Sequence, residues 1–176
     1  MGFHVSWLTV LGKTPDVVRK ELGLTETTER EYVPESDVTG VLLPSGWYML
    51  FFNEPLPAEL NETTLSKLSQ GAAVTVFVVE EASMVALARG YADGKRAWEV
   101  VHDADEGMEH LEVTGVPPPP FIEVRDRLLD KLSKRGQGAD YLFDLPAEFS
   151  KATTGFRHDE DIEGIDGDAF IVLERS

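Results

Sequence analysis

The chain has 176 residues, with 32 Asp and Glu against 16 Lys and Arg, and so a formal charge of −16 at neutral pH. Affinity for nucleic acid comes largely from Lys and Arg displacing condensed counterions, and anionic lipid attracts basic segments, so this balance excludes nucleic-acid and anionic-membrane binding and favours basic proteins, cations or neutral small molecules. No cysteine is present, which removes disulfides, thiolate metal sites and a cysteine nucleophile.

Phe3 to Leu11 alternates as a strand with Phe3, Val5, Trp7 and Leu11 on the core side. Thr14-Pro15-Asp16 starts a helix, with Thr14 as cap and Gly23 as its left-handed stop. The polar stretch Thr25 to Asp37 reads as a loop with at most a short edge strand near Tyr32. Val38–Leu43 and Trp47–Phe52 form a hairpin across Pro44-Ser45-Gly46, and the second strand is apolar on both faces, as a central strand must be. Asn61 caps a second helix through Leu65 and Leu68 to Gly71, and Ala73–Val79 is another doubly apolar strand.

Ser83–Tyr91 and Lys95–His102 flank Asp93-Gly94, the signature of a tight type I′ hairpin, and His110–Val113 extends the meander. Pro117 to Pro120 is a stiff lead into a helix over Phe121–Arg135, where Phe121, Val124, Leu128 and Leu132 recur at helical spacing before a stop at Gly136. A short helix from Leu145-Pro146 to Gly155 and a strand over Ala169–Leu173 complete the chain. The prediction is one α+β domain over residues 1–176, a mainly antiparallel sheet with helices packed on it. The order strand–helix–strand–strand–helix–strand over residues 3–79 matches a ferredoxin-like split unit, a longer meander being the alternative. No apolar run approaches the ~20 residues of a bilayer span, and no secretory signal opens the chain, so a cytoplasmic protein is expected.

Gly12-Lys13-Thr14 sits where a phosphate loop would lie, but the glycine that loop needs five residues earlier is Trp7. Two His-Asp doublets, His102-Asp103 and His158-Asp159, are the candidate metal ligands; the competing reading makes His102 a strand-end histidine paired with a neighbour. Asp159, Asp161, Glu163 and Gly164 resemble the first half of a calcium loop, to which Asp166 and Asp168 could add, but Phe170 stands where the loop needs its bidentate Glu. Seven acids and no Lys or Arg lie between Glu99 and Glu123, and Asp103, Asp105 and Glu106 are the predicted partner-binding carboxylates. The sequence predicts no cofactor; a divalent cation is the ion these carboxylates would take.

Ser45-Gly46-Trp47-Tyr48, the stretch from Asp93 to Asp103, and Thr154-Gly155-Phe156-Arg157-His158-Asp159 together resemble motifs of small uncharacterised bacterial cytosolic proteins, a likeness that implies no activity. Two functions from different classes follow. The first is a non-enzymatic acidic binding protein, similar to immunity proteins that neutralise basic toxins. The second is a metal-assisted hydrolase or cation-binding domain built on the two doublets, which requires them to converge.

Overall fold

The structure, a computed structural model, describes residues 2–135 and 138–176; the helix stop expected at Gly136 lies outside them. His4–Leu11 (β1) is the middle strand of a nine-stranded antiparallel sheet, between Tyr48–Phe52 (β4) and Ala73–Glu80 (β5). All five residues of β4 are buried, as are six of the eight in β5, because helices cover both faces of the sheet. A strand covered on both sides can be apolar at every position, which is how these two read in the sequence.

Val38–Leu42 (β3) pairs with β4, so β4 lies between β1 and β3 and β1 lies between β4 and β5. Helix Pro15–Leu22 (α1) lies on the path from β1 to β3, and Glu62–Leu68 (α2) connects β4 to β5. Each connection therefore skips one antiparallel strand, the split arrangement expected for residues 3–79. Both helices bury their apolar residues, Val18, Leu22, Leu65 and Leu68, with Leu8, Leu50 and Val76 on one face of the sheet. Asn61 caps α2 by accepting from the Thr64 amide at 2.8 Å. Thr14 stands at the N-cap of α1 but makes no side-chain cap bond; with the nearby backbone it holds the Asp16 carboxyl below its ordinary value.

Val85–Ala92 (β6) and Lys95–Asp103 (β7) follow β5 as a meander, turned at Asp93 and Gly94 with φ of 52° and 81°, the paired positive values of a type I′ turn. Glu112–Gly115 (β8) ends the sheet on that side. Pro120–Arg135 (α3) and Leu145–Thr154 (α4) cover the second face, where Phe121, Val124, Leu128 and Phe149 pack against Trp7, Phe77, Trp98 and Val100.

The sequence misplaces Thr25–Glu31. This stretch belongs to a full strand, Leu24–Glu31 (β2), paired with the C-terminal strand Phe170–Arg175 (β9) at the opposite edge of the sheet. It is polar because only Leu24 is buried, so the alternation that marks a half-buried strand is missing. Only Tyr32 to Asp37 is irregular. Phe3 and Leu11, expected in the core, are 41% and 42% exposed, Phe3 just before β1 and Leu11 at its last position. Among the described residues no helix is long and apolar enough to cross a membrane.

Candidate functional site

The chain leaves α4 through Gly155, whose φ of 85° provides the left-handed stop. It then runs across the second face of the sheet to β9. Successive side chains diverge. Phe156 enters the aromatic layer, edge-on to Trp7 at 5.7 Å and to Phe51 at 6.0 Å between ring centroids. His158 stacks on Trp7 at 5.3 Å and meets Phe3 edge-on at 4.6 Å. Arg157, between them, turns away to α4.

The Arg157 guanidinium is 11% exposed and faces three carboxylates. It donates through Nη1 to Asp144 and to Glu148, both at 3.0 Å, and through Nη2 to Asp159 at 3.0 Å. Burial acts to discharge it, but the hydrogen bonds to Asp159 and Asp144 outweigh burial and hold it more firmly protonated than an ordinary arginine. Asp159 shows the converse: burial raises its carboxyl, and Arg157 and His158 more than reverse this, leaving it below its ordinary value. This network ties the segment after α4 back onto the helix.

The segment walls two clefts. One, of about 310 Å³, lies on its α4 side by Ser45, Lys151 and Arg157. There Ser45 donates to the Thr154 carbonyl at 2.6 Å, so two of the three motifs quoted above meet in space. The other cleft, of about 390 Å³, lies toward β1 and the loop after β2. Phe3, Tyr32, Phe156, His158 and Phe170 line it, with Asp159, Glu160 and Asp161 on the same wall and no Lys or Arg. Asp161, across the cleft from Tyr32, raises the phenol above its ordinary value.

His158 Nδ1 is buried and has no hydrogen-bond partner. An orphaned N–H costs more than an orphaned lone pair, so Nδ1 carries the lone pair in the neutral ring. Burial, the largest influence, holds His158 below the ordinary value of 6.5; Asp159, Asp144 and Glu81 pull it up and Arg157 pushes it down. A depressed histidine means that the unfolded chain binds more protons as pH falls below 6.5, so this group's stabilisation is complete above that value and lost as pH falls through the folded value. His158→Phe, which keeps a ring on Trp7, is expected to fold within about 1 kcal/mol of the parent at pH 7. Its thermal midpoint should decline less than the parent's between about pH 6.5 and 5. Parallel declines would contradict the assignment.

The second doublet is a different object. His102 is 1% exposed on β7. Its Nδ1 lies 2.7 Å from the His110 carbonyl, to which it must donate, and its Nε2 lies 2.8 Å from Asp140 Oδ2. His110 Nδ1 accepts from the Asp103 amide at 2.9 Å, and Asp140 Oδ1 accepts from the Phe143 amide at 3.1 Å. His102 thus staples the turn before α4 to the sheet, with Asp140, not the adjacent Asp103, as its carboxylate. The paired-neighbour reading of His102 is the one the contacts support.

The two doublets do not share a site. His102 pairs with Ala86, Ala86 with Val79 and Val79 with Val5, which puts it three strands from β1, on whose Trp7 His158 stacks. That is about 14 Å at the strand spacing of a sheet. Among the described residues no group of three or more His, Asp or Glu is placed to hold a metal, and this includes Asp161 and Glu163 of the calcium-like stretch. Asp159, its first ligand position, is held by Arg157.

Asp103, Asp105 and Glu106 lie together at a single turn of 3-10 helix, Asp103 Oδ1 accepting from the Asp105 amide at 2.9 Å. Asp105 and Glu106 are exposed. The wider rim expected around them is broken, since Glu99 pairs with Arg89 and Arg96. The cleft by His158 was not foreseen. Its walls come from residues 3, 32–34 and 156–170, and only the alternation of Phe156, Arg157, His158 and Asp159 hinted at a segment facing two environments. Comparison with family models, with curated proteins and with solved structures finds no match to the chain.

Proposed function

We propose that the chain is a non-enzymatic binding protein for a basic protein partner, docked at the end of the molecule formed by residues 156–169 and the loop after β2. One observation carries this reading: six carboxylates, from Asp159 to Asp168, line a segment that borders both clefts. The neighbouring cations Arg157 and Lys151 are already in ion pairs, Lys151 with Glu160 at 2.6 Å, so that end projects negative potential. Such a surface speeds encounter with a basic partner and selects against acidic ones.

The test compares two variants that remove the same charge. Asp161→Asn/Asp166→Asn/Asp168→Asn is expected to weaken binding of a lysine-rich peptide about 5-fold or more at low salt. Asp103→Asn/Asp105→Asn/Glu106→Gln, at the other acidic turn, should change it less than about 2-fold. Equal losses would reduce the attraction to diffuse net charge and remove the assigned surface.

A further inference from the structure

We infer that the cleft beside His158 binds an organic cation, an ammonium group carried on an alkyl or aryl body. The inference rests on the reading of a cationic partner and gives it a site and a chemistry. At about 390 Å³ the cleft has the size of a small-ligand site. Its apolar lining combines four aromatic rings, Phe3, Tyr32, Phe156 and Phe170, with aliphatic side chains such as Ile162 and Ile165; aromatic rings attract a cation, and the apolar bodies desolvate its stem. Its charged lining is entirely anionic. Asp159 is engaged by Arg157 and Glu160 by Lys151, which leaves Asp161, at the mouth beside Tyr32, as the carboxylate with no Lys or Arg partner among the described residues.

The other groups are consistent with this. His158, the one titratable nitrogen on the wall, is kept neutral at pH 7 by burial and does not repel a cation. A carboxylate ligand would meet three carboxylates and no countercharge. A neutral ligand would leave the Asp161 charge unused. The same ammonium chemistry can come from a free amine or from a lysine side chain of a protein, and the two are separable by experiment.

Isothermal titration of the full chain with benzylammonium and with benzyl alcohol, its neutral counterpart, tests the inference. Benzylammonium should bind at least ~5-fold more tightly. Asp161→Asn, at an exposed position that does not endanger the fold, should reduce that ratio about 3-fold and leave benzyl alcohol unaffected. N-acetyl-lysine-N-methylamide binding as tightly as benzylammonium identifies a protein side chain as the source; weaker binding identifies a free amine. Equal affinity for the charged and neutral probes, or no saturable binding of either up to about 10 mM, overturns the inference. If the lysine-rich peptide then still distinguishes the two charge-removal variants, the acidic docking surface stands without the cleft; if it does not, both readings fall.

Discussion

Replacing Trp7 with alanine is expected to cost about 3–5 kcal/mol of folding stability, the largest loss available from one side chain in this protein. Trp7 is fully buried at the centre of the middle strand. Its indole lies nearly parallel to Phe77 at 5.4 Å and to Phe51 at 6.4 Å, edge-on to Phe156, and stacks with His158 at 5.3 Å. Nε1 donates to Ser150 Oγ at 2.8 Å, which fixes α4 over the sheet. Truncation therefore removes a transfer energy, a hydrogen bond and the ring on which His158 stacks together, and relaxation cannot fill a space bounded by four other rings. Urea unfolding reads the change directly. Trp7→Phe separates the contributions: it keeps most of the apolar volume and leaves Ser150 Oγ without its donor, a cost of about 1 kcal/mol beyond lost packing. A Trp7→Ala loss under about 1 kcal/mol would mean that the aromatic layer does not organise this face.

Arg157→Ala is expected to cost about 3 kcal/mol, toward the lower end of the range for breaking a buried pair because all three of its partners keep some contact with water. The loss has two sources. Asp144, Glu148 and Asp159 are left facing one another with no cation between them, and the segment after α4 loses its tie to the helix. Arg157→Lys restores the charge but cannot reproduce the fork that reaches three carboxylates, so its stability should fall between parent and alanine. Both variants should also weaken the lysine-rich peptide, since the wall that presents Asp161 is no longer held. Parent-like stability of Arg157→Ala would show the ion pairs to be a surface ornament of negligible weight.

Much of the fold was legible because its signals are local. The 3.6-residue stripe of α3, the Asp93-Gly94 turn and the Asn61 cap each depend on a few neighbouring residues, and all stand as read. The doubly apolar β4 and β5 announced a sheet covered on both faces. Strand β2 was hidden because an edge strand with one buried residue has no apolar period to detect. Its partner β9 lies more than a hundred residues away in the chain.

The site was less legible for the same reason carried further. Sequence adjacency suggested that His102 works with Asp103 and His158 with Asp159, whereas His102 is held by Asp140 and Asp159 by Arg157. The nearness that matters was created by packing: Phe3 from just before the first strand, Tyr32 from the loop after β2 and His158 from the last long loop meet around one cleft. Charge was readable in total and not in distribution, since it takes the ion pairs of Arg157, Lys151, Arg89 and Arg96 to show which carboxylates remain to face a partner.

The most direct test of the binding account is to map where a lysine-rich peptide lands, by following backbone amide resonances of the labelled chain during titration at low salt. The account predicts saturable shifts at Asp159 to Asp168 and Tyr32 to Pro34, with the Asp103 to Glu106 turn little changed. Shifts centred on Asp105 and Glu106, or small non-saturating shifts spread over every acidic surface, would contradict it.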